Sequence, residues 1–178
     1  MKKALVVVDF QVDFVEGALG FPLAGTLEPV IDAKIAAALE EGVDLVFTLD
    51  THPAQGYLET REGRHLPVPH CIKGTPGHAL HGRVARHLER AVKVIEKDQF
   101  TSIELAGFLK GYDEVEFCGL VSNICVLSNV VLARAFAPEV RIVVDLRATL
   151  SFDPVVNSTL KNYLEGLHVV VTGDSTNH

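Results

Sequence analysis

EVEFCGLVSNICVLSNVVLARAFA, residues 114–137, reads as a β-strand that passes through a short loop into a helix. Glu114 to Leu120 is a compact run dominated by apolar and strand-favouring residues. From Ser122 onward the apolar residues recur at helical spacing as far as Ala137. A strand running into a helix this quickly is half of the βαβ unit from which parallel sheets are built. Cys125 falls in the first turn of the helix, behind the polar pair Ser122 and Asn123. A cysteine there has two readings. It is either small core filler, the common fate of cysteine, or a thiol whose ionised form is favoured by the N–H groups of a helix start.

The same alternation extends in both directions. Ala4–Phe10, Val43–Leu49, Val92–Lys97, Val140–Leu146 and His168–Gly173 are further short β-branched runs. Several are almost continuously apolar, as strands covered on both faces are. Helical patterns lie between them: EPVIDAKIAAALEEG, PGHALHGRVARHLER, SIELAGFLKGY and DPVVNSTLKNYLEG. Asp153 before Pro154 is an N-cap followed by proline at the first helical position. About six mainly parallel strands alternating with helices predict an α/β doubly wound domain in three α/β/α layers. With 178 residues and no linker or repeat, one domain over residues 1–178 is expected.

Composition excludes several classes. Apolar residues make up 48% and charged residues 22%, with a formal charge of -7, so no basic field exists to draw nucleic acid or anionic lipid. No apolar stretch approaches the roughly 20 residues that span a bilayer, and the N-terminus lacks a signal-peptide pattern. Three cysteines cannot complete a disulfide set. A cytoplasmic protein with a small-molecule partner is the expectation.

Open α/β sheets bind ligands beyond the carboxyl ends of their strands. Asp9 ends the first strand, Asp50 with His52 the second, Lys97 the third, and Cys125 follows the fourth. Four successive strands therefore deliver ionisable or nucleophilic groups to one sheet edge. Asp9 is suited to take a proton from the Cys125 thiol, and Lys97 to hold Asp9 ionised and lower the thiol pKa. Each also has a structural reading, as a loop cap or a solvated strand end. Asp50 to Pro76 is a 27-residue stretch without periodicity, and loops that long are commonly functional. In it, Asp50, His52 and His70 form a set that suits zinc, iron(II) or manganese, with Glu62, Glu59 and His65 as further candidate ligands. Cys71 and Cys118 read as core, and His78, His81 and His87 as an exposed helix face.

These residues resemble the isochorismatase-like cysteine hydrolases, in particular the nicotinamidase (pyrazinamidase) branch. VVVDFQVDF is similar to that family's D-x-Q-x-D-F opening, LDTHP and PHCIKGTPGHAL to its metal loop, EKDQFTSI to its lysine segment and CGLVSNICVLSNVVLARA to its nucleophile segment. The resemblance implies strand order 3-2-1-4-5-6 and an Asp9–Lys97–Cys125 triad. It implies an oxyanion hole of the Val121 and Cys125 backbone N–H groups, and a non-proline cis peptide at Val121–Ser122. One divalent metal is implied on Asp50, His52 and His70, with Glu62 preferred over Glu59 as a fourth ligand; zinc comes first, then iron or manganese. It also implies a homo-oligomer and amide hydrolysis through a thioester. The family's pocket tryptophan has no counterpart, since the chain has no tryptophan. Phe14, Leu66 and Val68 are assigned to the substrate pocket instead, with Phe21 and Tyr57 as further aromatic candidates. The competing expectations are an amidase for another small amide, ureido or carbamoyl, and a non-catalytic α/β scaffold.

Overall fold

The computed structural model describes residues 1–173. In chain order the elements are β1 (Lys3–Val8), α1 (Val12–Val15), α2 (Glu28–Glu40), β2 (Asp44–Asp50), α3 (Arg61–His65), β3 (Lys93–Lys97), α4 (Ile103–Leu109), β4 (Glu114–Leu120), α5 (Leu127–Phe136), β5 (Arg141–Leu150), α6 (Pro154–Gly166) and β6 (Val170–Thr172). The six strands form one sheet in the order β3-β2-β1-β4-β5-β6, and every pairing is parallel.

The alternation of β1 explains the layers. Ala4, Val6 and Val8 face a core that includes Leu105 and Leu109 of α4, Val130 and Ala133 of α5, and Leu160 and Leu164 of α6. Leu5 and Val7 face the opposite core, with Phe14 of α1 and Ile31 and Ile35 of α2. Successive side chains of a strand point to opposite faces, so a run apolar at every position requires a cover on both sides. Asp153 caps α6 as expected, its carboxylate accepting from the Val155 N–H at 2.9 Å.

Three expectations need correction. PGHALHGRVARHLER does not form an α-helix but two 3₁₀ segments, Pro76–His78 and Gly82–Arg90; Leu80 and Val84 are its only fully buried apolar residues, too few for a helical stripe. His78, His81 and His87 are accordingly half-buried rather than an exposed face. They meet Thr51 at 2.8 Å, Glu28 at 3.1 Å and Asp32 at 2.8 Å, respectively. The cis peptide lies at Leu120–Val121, not Val121–Ser122: pairing with β5 ends at Leu120↔Leu150, so the chain leaves the strand there. Beyond it, Ser122–Val126 forms a π-helical turn before α5 begins.

Candidate active site

Asp9 follows the last residue of β1 and takes a φ of 46°, in the left-handed region that non-glycine residues seldom occupy. The end of β2 holds it there. The Asp9 N–H donates to the Thr48 carbonyl at 3.1 Å, and the Thr48 hydroxyl donates to Asp9 Oδ1 at 2.6 Å. On the other side β4 passes so close that a Cβ at Gly119, where φ is 106°, would stand 2.1 Å from the Val8 carbonyl oxygen. Glycine is required at that crossing.

Lys97, the last residue of β3, reaches across to this carboxylate. Its Nζ lies 2.6 Å from Asp9 Oδ2 and donates to the Gln99 carbonyl at 3.0 Å, to Asp50 Oδ1 at 3.4 Å and to Cys125 Sγ at 3.6 Å. Asp9, Lys97 and Cys125 are 0%, 5% and 5% exposed. The structure thus gathers the three residues around one ammonium group. Asp9 Oδ2 has no well-aligned hydrogen bond despite the ion pair. The lysine approaches it off-axis and leaves a lone pair available.

The electrostatics correct one expectation. Lys97 acts on the Cys125 thiol in the expected, lowering direction, but it is outweighed. Burial pushes the thiol well above its usual value, the negative Asp9 beside it adds to the effect, and Lys97 only partly opposes both. Burial likewise raises Asp9, with Lys97 opposing and Asp50 assisting. Lys97 moves the other way. Burial alone would lower it, but Asp9, Cys125 and Asp50 together raise it, so it remains an ammonium. Lys97 thus places an ammonium between the Asp9 carboxyl group and the Cys125 thiol.

Beside this trio stands a second cluster. Asp50 ends β2 and His52 follows two residues later. His70 arrives from the long loop because the chain returns alongside His52: the His52 N–H donates to the Cys71 carbonyl at 3.0 Å, and the Lys73 N–H to the His52 carbonyl at 2.9 Å. Asp50 Oδ2 lies 3.0 Å from His52 Nε2 and 3.3 Å from His70 Nε2. One ligand atom from each residue lies within 4.8 Å of the others, all three residues being buried.

The donor set fits a divalent metal on two grounds. His70 Nδ1 lies 2.8 Å from the Val68 carbonyl, which can only accept, so in neutral His70 that nitrogen carries the hydrogen and Nε2 turns a lone pair toward Asp50. His52 Nε2 is buried without an aligned hydrogen bond although a carboxylate oxygen is 3.0 Å away. Lone pairs converging on one point are satisfied by a shared cation. Burial would raise the Asp50 pKa, but the adjacent His52 and His70 rings and the charge of Lys97 overcome it and hold the group well below the carboxylate range.

Glu62, in α3, faces the cluster from further out, 3.6 Å from His70 Nε2 and 3.9 Å from His52 Nε2. Glu59 and His65 are exposed. An open cleft of about 640 Å³ adjoins the cluster, lined in part by His52, Glu62, His65, Gln99 and Phe100. Phe14, Leu66 and Val68 do not line it. Phe14 packs edge-on against the His70 ring at 5.6 Å, Tyr57 donates its hydroxyl hydrogen to the Leu66 carbonyl at 2.9 Å, and the Val68 carbonyl orients His70. These three residues stand around the Asp50–His52–His70 cluster rather than the cleft.

Some supporting residues escaped the sequence reading. Gln11, fully buried, accepts from the Asp50 N–H at 2.8 Å and donates to the Asp50 and His78 carbonyls, each at 2.9 Å. Asp13 accepts from the Cys71 N–H at 2.7 Å, next to His70. Both occupy the motif VVVDFQVDF, where polar residues interrupt an apolar run. That interruption was the available signal.

Residues 3–176 match the isochorismatase domain, and the chain belongs to the isochorismatase family. Among its relatives is the nicotinamidase/pyrazinamidase of Mycobacterium tuberculosis, 30% identical over 171 residues that cover 86% of this chain and 90% of that protein. The crystal structure of a nicotinamidase/pyrazinamidase from Bacillus subtilis superposes with a TM-score of 0.86 at 30% identity, covering 97% of this chain and 100% of that one. A pyrazinamidase of Pyrococcus horikoshii in complex with zinc gives a TM-score of 0.83 at 27% identity, covering 98% and 100%. Among the described residues, no helix is long and apolar enough to cross a membrane.

Proposed function

We propose that the chain is a metal-containing cysteine amidohydrolase that converts nicotinamide and water to nicotinate and ammonia. The observation that carries this reading is the buried ammonium of Lys97, 2.6 Å from the Asp9 carboxylate and 3.6 Å from the Cys125 sulfur. Asp9 takes the thiol proton as the sulfur attacks the amide carbon. The negative charge that develops on the amide oxygen is met by the backbone N–H groups of Val121 and Cys125. The Val121 carbonyl accepts from the Ile124 and Val126 N–H groups, which fixes the turn that carries Cys125. Asp9 returns its proton to the departing nitrogen, and ammonia leaves a thioester on Cys125. Water then attacks the thioester with Asp9 again as base, which releases the acid and restores the thiol.

Asp50, His52 and His70, with Glu62 behind them, would hold the divalent ion, zinc before iron or manganese. When bound, the ion supplies a Lewis-acid contact for the ring nitrogen of the substrate and fixes the orientation of the amide. Chelation therefore raises KM while kcat at saturation changes little. A lost contact of about 1.4 kcal/mol gives a tenfold rise. Restoring zinc also raises Tm, because the ion binds only the folded state. An unchanged KM and Tm after metal removal would contradict this assignment.

The pH dependence follows from the raised Asp9 and Cys125. The active form needs Asp9 ionised and Cys125 protonated, so kcat/KM rises through the first ionisation and falls through the second. Burial moves both upward, placing the acid limb above the ordinary carboxylate value of about 3.9 and the alkaline limb above the ordinary thiol value of about 8.5. These are properties of the coupled pair. An acid limb at or below the ordinary carboxylate value would show that Asp9 is not the base.

A second reading has one specific observation in its favour. With no tryptophan in the chain and Phe14 turned edge-on to His70, stacking on a pyridine ring would fall to Phe100 in the cleft wall. An amide without an aromatic ring, such as a ureido or carbamoyl compound, fits the same thiol. A panel of amides assayed for ammonia release ranks the two readings by kcat/KM.

A further inference from the structure

Asn129 lies in the third position of α5 and is buried, 1% exposed. Asparagine is a poor choice inside a helix, because its amide competes with the backbone for hydrogen bonds. Here every hydrogen-bonding position of the amide is taken. Its Nδ2 donates to the Cys125 carbonyl at 2.8 Å and to the Phe100 carbonyl at 3.2 Å. Its Oδ1 accepts from the Ser102 N–H and the Thr101 hydroxyl, each at 3.2 Å. Two donors and two acceptors are all that the side chain possesses. The pattern also fixes which end is nitrogen, because two carbonyls can only accept and a backbone N–H can only donate.

The partners fall into two groups. One bond ends on the nucleophile residue itself. The other three end on residues 100–102, the segment that follows Lys97 and opens α4. That segment also contains Gln99, whose carbonyl accepts from Lys97 Nζ at 3.0 Å, and Phe100 lines the cleft beside the metal cluster. Asn129 is thus a single buried link between the strand end that delivers the ammonium and the turn that delivers the sulfur.

We propose that Asn129 is a positioning residue that sets the separation of Lys97 Nζ and Cys125 Sγ, and through it the ionisation of the nucleophile. The proposal rests on the reading of Cys125 as nucleophile, but not on nicotinamide as substrate. Asn129 does not touch the reacting atoms. It acts by clamping the Lys97 loop against the Cys125 turn, so that the ammonium opposes the burial and the Asp9 and Asp50 charges that raise the thiol.

The test uses the intact protein and needs no substrate. The rate of Cys125 alkylation by iodoacetamide is measured from pH 6 to 11 for the native chain, for Asn129→Ala and for Asn129→Asp, with Cys71→Ser and Cys118→Ser controls to assign the modified thiol. In Asn129→Ala the loosened ammonium is expected to shift the midpoint upward by about one pH unit, tenfold in thiol acidity. Asn129→Asp keeps the shape and the Oδ1 acceptor but sets an oxygen against two carbonyls, and its midpoint shifts at least as far. On any amide the native chain hydrolyses, both variants lower kcat about tenfold or more and leave KM within a factor of two or three. A midpoint equal to the native one in either folded variant, even with a lower Tm or a changed plateau rate, overturns the proposal, because it would mark Asn129 as a staple between α4 and α5 only. Failure of the nicotinamide reading appears separately, as absence of nicotinate formation by the native chain.

Discussion

Cys125→Ala is expected to lower kcat/KM by about a thousandfold or more while leaving the fold intact. The two parts have different causes. Cys125 belongs to the core with Val126, Val130 and Leu105, yet the change removes only one sulfur atom, at a cost of about 1 kcal/mol. The chemical loss is far larger. Without sulfur no thioester forms, and neither Asp9 nor the oxyanion N–H groups have a nucleophile to serve. Cys125→Ser tests the same step more finely. A hydroxyl is a much weaker acid than a thiol, so the serine variant is expected to be nearly as inactive as the alanine one. Ammonia release and thermal melts, measured together, separate loss of chemistry from loss of structure. Residual turnover above about one part in a thousand would remove Cys125 from the mechanism.

Lys97→Met has the second large effect, and it falls on stability as well as rate. The substitution keeps an unbranched side chain of similar length but removes the ammonium that lies 2.6 Å from the fully buried Asp9. Breaking one side of a buried ion pair typically costs about 3–5 kcal/mol, because the remaining charge is left without compensation. Asp50 loses a contact at 3.4 Å at the same time. The sign of the pH dependence follows. Asp9 is already raised in the folded protein and rises further without Lys97, so the penalty is full at pH values above its folded pKa. The penalty fades as pH falls through that value and the carboxyl becomes neutral. Adding Asp9→Asn to Lys97→Met recovers most of the lost stability and none of the activity. Denaturant melts of the native chain, both single variants and the double variant complete the cycle. A Lys97→Met protein as stable as the native one at neutral pH would mean that Asp9 is not held ionised by this lysine.

The sheet was legible because its strands announce themselves twice, through β-branched runs and through apolar residues at every position. Ala4 to Val8 feed two cores in strict alternation, which a one-sided strand could not do. The placement of Asp9, Asp50, Lys97 and Cys125 at one edge was equally open to reading, since each ends or follows a strand. The details that failed depend on contacts distant in sequence. PGHALHGRVARHLER carries helix-forming residues, yet its few buried anchors, Leu80 and Val84, leave it as 3₁₀ turns. The thiol was expected to be acidified by the helix start and the lysine. The lysine does act in that direction, but burial and the charges of Asp9 and Asp50 outweigh it, and the extent of burial does not appear in a spacing pattern. Phe14, Leu66 and Val68 stand near the metal cluster, but two of them contribute backbone carbonyls, a role that side-chain chemistry cannot reveal.

Attack by the Cys125 sulfur on an sp² carbon can be observed without turnover. Pyridine-3-carboxaldehyde, labelled with ¹³C at the aldehyde carbon, has the shape of the amide but no leaving group, so a thiohemiacetal with Cys125 accumulates however fast the thioester would hydrolyse. ¹³C NMR is expected to show that adduct in the native protein and its loss in Cys125→Ala. An aldehyde that binds and competes with the amide, yet shows only its free and hydrated carbon signals in the native protein, would contradict covalent catalysis by this thiol.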